Sequence, residues 1–130
     1  MTTTPDVSAI HVHVVEDDAF LANIYKTKFE MEGFKITVSA DGEAALVDIK
    51  KRPPKIILLD ILLPKLDGFG VLEELKKDPE LKDIPVILLT NLGQKDDVEK
   101  GLALGAVDYL IKAHFKPSET VAKVKRALKI

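Results

Sequence analysis

Lys55-Ile56-Ile57-Leu58-Leu59-Asp60 is the stretch on which the fold turns. Four aliphatic residues in a row show no alternation of apolar and polar positions. A strand formed here is therefore covered on both faces. Pro53 and Pro54 end whatever precedes it, and Pro64 and Gly68 lie just beyond the carboxylate that closes it. A strand buried on both sides belongs in a parallel sheet with helices above and below.

The neighbouring segments repeat the theme. His11 to Val15 reads as a first strand, Phe34 to Ser39 as a second, Lys55 to Leu59 as the third, Pro85 to Leu89 as a fourth and Val107 to Ile111 as a fifth. Helical spacing fills the intervals. Ala19 to Glu32 carries Leu21, Ile24, Tyr25 and Phe29 on one face and stops at Gly33. Asp41 caps a helix from Gly42 to about Lys51. Phe69 to Lys77 carries Phe69, Leu72 and Leu75, Asp96 to Leu104 stops at Gly105, and Pro117 to Lys129 carries Val121, Val124 and Leu128. The order is βα repeated five times. It predicts an α/β fold, a doubly wound five-stranded parallel sheet with helices on both faces and right-handed crossovers. Residues 1–9 read as a flexible polar leader and residues 10–130 as one domain.

Bulk composition narrows the function. The chain has 130 residues, 46% hydrophobic and 31% charged, which suits one folded domain rather than a disordered segment. Its formal net charge of −2 argues against direct nucleic-acid binding by this domain, which draws on a basic excess. With no cysteine, disulfide frameworks and thiolate zinc sites are excluded. No apolar run approaches the roughly 18 residues of a membrane helix. The polar start lacks the basic and apolar regions of a signal peptide. The expected location is the cytoplasm, away from membranes.

In a sheet of this kind, sites form beyond the C-terminal ends of the strands. Glu16, Asp17 and Asp18 follow the first strand, Asp60 closes the third, Thr90 follows the fourth and Lys112 the fifth. A parallel sheet brings them to one edge. Clustered carboxylates resist being charged together, and a hard divalent cation such as Mg²⁺ resolves that conflict through oxygen ligands. Asp60 is then a nucleophile toward phosphorus, with the metal and Lys112 offsetting phosphoryl charge. Each residue alone has an ordinary reading: acidic runs after strands are commonly solvated loops or caps, and Asp18 is the natural cap of the first helix. The combination at four strand ends outweighs those readings.

With these residues in place, the chain resembles the response-regulator receiver family over about Ile10 to Leu128. The motifs are Val14-Val15-Glu16-Asp17-Asp18, Leu58 to Gly68 around Asp60, Val86-Ile87-Leu88-Leu89-Thr90, and Gly101 to Lys112. The resemblance implies a phosphorylation-activated switch of two-component signal transduction, not an enzyme in the ordinary sense, with Asp60 as phosphoacceptor. It implies Mg²⁺ or Mn²⁺ held by Asp17, Asp60 and the backbone carbonyl of Leu62, with Glu16 acting through a metal-bound water. Thr90 and Lys112 would contact phosphoryl oxygens, Tyr109 would move inward with the threonine, and Pro64 and Gly68 would shape the loop. The implied phosphodonor is a sensor histidine kinase, a phosphotransfer protein or a small phosphodonor. The implied readout is a protein target, and in some settings a weak homodimer. Its surface comprises the fourth helix, fifth strand and fifth helix, around Lys95 to Gly105, Val107 to Ile111 and Pro117 to Leu128.

The chain also departs from the family pattern. Asn91 follows Thr90 where a small residue is usual, narrowing access to Asp60 or offering another hydrogen bond. Ala113 replaces the proline that usually follows the lysine. A non-proline cis bond costs about 2.5–4 kcal/mol, and the expectation is a cis Lys112–Ala113 bond held under strain. Leu62 and Leu92 flank the path of an attacking water, and their apolar side chains point to slow self-dephosphorylation. His11 and His13 share one face of the first strand, where a structural pair is the simpler reading than a metal pair. His114 has no obvious partner, and the basic residues of the last helix read as a solvated face.

Two other functions compete with the switch. A degenerate receiver would be a pure interaction module, but Asp17, Asp60, Thr90 and Lys112 are all present. A haloacid-dehalogenase-type phosphatase would need an aspartate two residues after the nucleophile, where this chain has Leu62. No P-loop or dinucleotide-binding glycine pattern occurs.

Overall fold

The computed structural model describes residues 8–91, 94–113 and 116–130, and the backbone of residue 114. Expectations for Leu92, for the His114 side chain and for most of the leader lie outside the described residues. Five strands, β1 (His11–Val15), β2 (Lys35–Ser39), β3 (Ile56–Asp60), β4 (Val86–Thr90) and β5 (Asp108–Ile111), form one sheet in the order β2-β1-β3-β4-β5, every pairing parallel. Between them run α1 (Ala19–Met31), α2 (Gly42–Lys51), α3 (Gly68–Lys77), α4 (Lys95–Ala103) and, last, α5 (Pro117–Leu128).

The unbroken apolar strands now have their explanation. Successive side chains of a strand point to opposite faces. Ile57 and Leu59 pack with Ala45, Ile49, Val71, Leu72 and Leu75 from α2 and α3. Ile56 and Leu58 pack with Tyr25 and Phe29 of α1 and Val121 and Val124 of α5. All five residues of β3 and of β4 are buried. Each fully buried Leu or Ile contributes about 1.5–3 kcal/mol, so the central strands are the stable frame that carries the site.

The caps are set by short side chains. Asp18 accepts from the Phe20 and Leu21 amides, Asp41 from Ala44 and Asp67 from Gly70. Strands three and four each reach one residue further than the sequence suggests. Asp60 pairs with Leu89 and Thr90 with Ile111 in the ladder. Both polar residues therefore sit on rigid strand ends rather than on loops.

One expectation is corrected. No cis peptide bond occurs among the described residues, so Lys112–Ala113 is trans. Lys112–His114 instead forms a single 3₁₀ turn. Without a proline ring the trans form is favoured by about 2.5–4 kcal/mol, and this short turn accommodates it. No helix among the described residues is long and apolar enough to cross a membrane.

Candidate functional site at the C-terminal edge of the sheet

Three strand ends and one turn converge at this edge. Lys112, opening the turn after β5, donates to Glu16 Oε1 at 2.9 Å and to Asp60 Oδ2 at 2.9 Å. The other oxygen of Asp60, Oδ1, accepts from the Leu62 amide at 3.1 Å. Asp60 is 3% exposed and Glu16 1%, whereas Asp17 is open to solvent. Glu16, Asp17 and Asp60 each offer an oxygen within 4.8 Å of the others.

Burial dominates the electrostatics of Glu16. Its carboxyl is pushed up to about 7, opposed by the Lys112 hydrogen bond and reinforced by the charge of Asp60. Burial by itself lowers Lys112, but its hydrogen bonds to Asp60 and Glu16 outweigh that and raise it. The ammonium is thus held charged between two buried carboxylates. Tyr25 of α1 faces the same cluster from below; burial, then the Glu16 and Asp60 charges, push its phenol up.

Among the described residues, Glu16 Oε2 is buried without a hydrogen-bond partner. A buried acceptor in that condition is costly unless a cation or water meets it. Together with two further carboxylates at one rim, this hard-oxygen donor set fits a divalent cation of the Mg²⁺ class.

Thr90 is buried, and among the described residues its hydroxyl makes long contacts, to Asn91 O at 3.3 Å and Gln94 Oε1 at 3.4 Å. Tyr109 lies at the surface, 36% exposed, with the Lys123 ammonium 5.2 Å from its ring centre. Lys123 also donates to the Tyr109 carbonyl at 2.7 Å and bonds Asp108. Tyr109 is therefore beside the site without entering it.

Pro64 lies between β3 and α3, and Gly68 opens the first turn of α3. The Gly68 amide donates to Ile61 O at 2.8 Å, and a Cβ there would stand 2.4 Å from the Asp60 carbonyl oxygen. Only glycine lets α3 start so close to the strand bearing Asp60. Pro64 O accepts from the Leu66 and Gly42 amides. Sequence reading missed Gly42, whose Cβ position falls 1.9 Å from Leu66 O. It also missed Gln94, beside the Thr90 hydroxyl. A helix-opening glycine and a lone glutamine carry no local signal of either contact.

Fold and site together define a receiver. A family model for the response regulator receiver domain matches residues 12–125, and the chain belongs to that family. It is a signalling domain rather than an enzyme of the ordinary kind.

Among relatives, "Probable transcriptional regulator ycf27" of Cyanophora paradoxa is 39% identical over 95% of this chain and 50% of its own length. "DNA-binding dual master transcriptional regulator RpaA" of Synechocystis sp. is 36% identical over 89% of this chain and 48% of its own length. The chain spans about half the length of these curated relatives. Among solved structures, the Francisella response regulator 1452 receiver domain superposes with a TM-score of 0.84 at 36% identity, covering 92% of this chain and 97% of that one. The receiver domain of a signal transduction histidine kinase from Syntrophus aciditrophicus gives 0.85 at 34%, covering 93% and 91%.

Proposed function

We propose that this domain is a working phosphoryl switch with Asp60 as acceptor. The observation that carries the reading is the pairing of Asp60 and Glu16 with Lys112, beside an orphaned carboxylate oxygen and Asp17. An Asp60 carboxylate oxygen forms the new bond to phosphorus. The bond to the donor breaks, releasing the imidazole of a phosphohistidine or the carboxylate of an acyl phosphate. Lys112 then exchanges its contact with Asp60 for a phosphoryl oxygen, and Thr90 turns its hydroxyl from the Gln94 side toward another.

Asp17, Asp60 and the Leu62 carbonyl would hold Mg²⁺ or Mn²⁺, with Glu16 acting through a bound water. The cation would supply charge neutralisation for the transferring group. Pro64 and Gly68 keep the loop clear of the acceptor. Movement of Thr90 frees space for Tyr109 to turn inward, which changes the α4-β5-α5 surface by shifting two pre-existing populations. Histidine kinases or phosphotransfer proteins are the proposed donors, and a protein target or a weak homodimer the proposed reader at that face. The domain assists its own phosphorylation and dephosphorylation. It works in the cytoplasm and makes no direct contact with nucleic acid.

Incubation with acetyl phosphate and Mg²⁺, followed by intact mass measurement, tests the reading. A phosphoryl adduct on the native chain that is lost in Asp60→Asn supports it. Absence of an adduct on the native chain overturns it in favour of a pure interaction module.

A further inference from the structure

A second polar assembly lies away from Asp60, between the β1–β2 margin of the sheet and the C-terminal end of α2. Its cleft, about 350 Å³, is lined by His11, His13, Thr37, Asp48, Lys51 and Arg52, with Val38. Beneath it runs a chain of side-chain hydrogen bonds whose direction is fixed by proton counting. Ser39 donates its one hydroxyl proton to Asp48 Oδ2 at 2.7 Å. His13 Nε2, 2.7 Å from Ser39 Oγ, must therefore be the donor there. Burial, then the neighbouring His11, lower His13 to about 4, so it is neutral near pH 7 and its Nδ1 is bare. Thr37 donates to that Nδ1 at 2.6 Å, and His11 Nε2 in turn donates to Thr37 at 2.5 Å.

Two consequences follow. Both ring nitrogens of His13 are engaged, which removes the His11–His13 pair as a metal site. His11 Nδ1 takes no part in this chain of bonds, and His11 lines the cleft together with Lys51 and Arg52. Among the described residues neither cation has a carboxylate partner, and Asp48, the one acid lining the cleft, already accepts from Ser39. Lys51, in the last turn of α2, complements the helix dipole in the ordinary way. Arg52 lies beyond that turn; burial first, then the fields of Arg52 and Lys35, lower His11.

We propose that this cleft is a binding site for a small phosphate or carboxylate anion, held by Lys51 and Arg52 with His11 as a third contact. Guanidinium and ammonium groups suit such oxyanions, the first through paired hydrogen bonds and the second as a point charge. A bound anion offsets the Arg52 and Lys35 fields, the part of the lowering at His11 that does not come from burial, and so favours a proton at its Nδ1. Asp48, Lys35, Lys51, Arg52 and His13 are the charged and titratable groups facing it.

The test is an NMR titration of the whole chain, free of Mg²⁺, with inorganic phosphate in one arm and citrate in another. Saturable amide shifts at Thr37, Val38 and Arg52, with His11 titrating at higher pH, support the site; the arm that saturates at lower concentration names the anion. Arg52→Ala, an exposed change that spares the core, should weaken binding roughly tenfold. Shifts confined to the surroundings of Asp60 and Lys112, absence of saturation in both arms, or unchanged binding by Arg52→Ala would overturn it. Asp60→Asn should keep this binding while losing the phosphoryl adduct, so failure here is distinct from failure of the switch.

Discussion

The Lys112 ammonium lies 2.9 Å from Asp60 Oδ2, joining the turn after β5 to the last residue of β3 across 52 positions of sequence. The same ammonium is shared with Glu16, 96 positions away. Removing one partner of a buried ion pair leaves the remaining charge uncompensated, which costs more than the pair contributes.

Lys112→Met is accordingly expected to lower stability by about 3 kcal/mol in metal-free buffer. Added Mg²⁺ should restore part of that loss, because a cation beside Glu16, Asp17 and Asp60 replaces the missing charge. Urea denaturation with and without Mg²⁺ measures both effects; no recovery with Mg²⁺ would count against a cation site.

Asp17 and Asp18 are adjacent but differently placed. Asp18 caps α1 through two amides, so Asp18→Ala should cost about 1 kcal/mol and leave phosphoryl uptake intact. Asp17 is exposed at the carboxylate rim. Asp17→Ala should leave stability nearly unchanged and abolish Mg²⁺-dependent uptake. Melting curves and intact mass separate the two.

Gly68→Ala should destabilise the chain by about 1–3 kcal/mol, since the new methyl meets backbone of Asp60 and Ile61 rather than a movable side chain. The shift propagates to the acceptor itself. Adduct formation should slow even where the variant remains folded, as followed by mass against time.

His13 sets an acid limit on stability. Its folded value of about 4 lies below the ordinary 6.5, so the unfolded chain binds a proton that the folded chain refuses. Stability from this residue is complete above 6.5 and declines as pH falls from there to about 4, by up to about 3 kcal/mol. His13→Asn removes the titration. The difference between native and variant denaturation profiles should narrow with acid across that window; a constant difference would refute the assignment.

Leu62 is 53% exposed while its amide holds Asp60 Oδ1. Leu62→Asn keeps that amide and adds a group able to position water. Decay of the phosphoryl adduct should accelerate severalfold, and an unchanged decay rate would remove Leu62 from the control of lifetime.

The five strands and five helices are legible in the order of residues, because runs such as Ile56 to Leu59 and caps such as Asp18 and Asp41 act through neighbours in the chain. The sequence also determined that Asp60, Thr90 and Lys112 meet at one edge, since parallel pairing leaves the strand ends no other place. What depended on the tertiary structure is that Lys112 bridges Glu16 and Asp60, that Gly42 must admit the Leu66 carbonyl, and that His11 and His13 join Thr37, Ser39 and Asp48 in one hydrogen-bonded chain. The tertiary structure also decided the trans Lys112–Ala113 bond. Those outcomes depend on distances and burial between residues far apart in the chain, and local pattern carries no record of them.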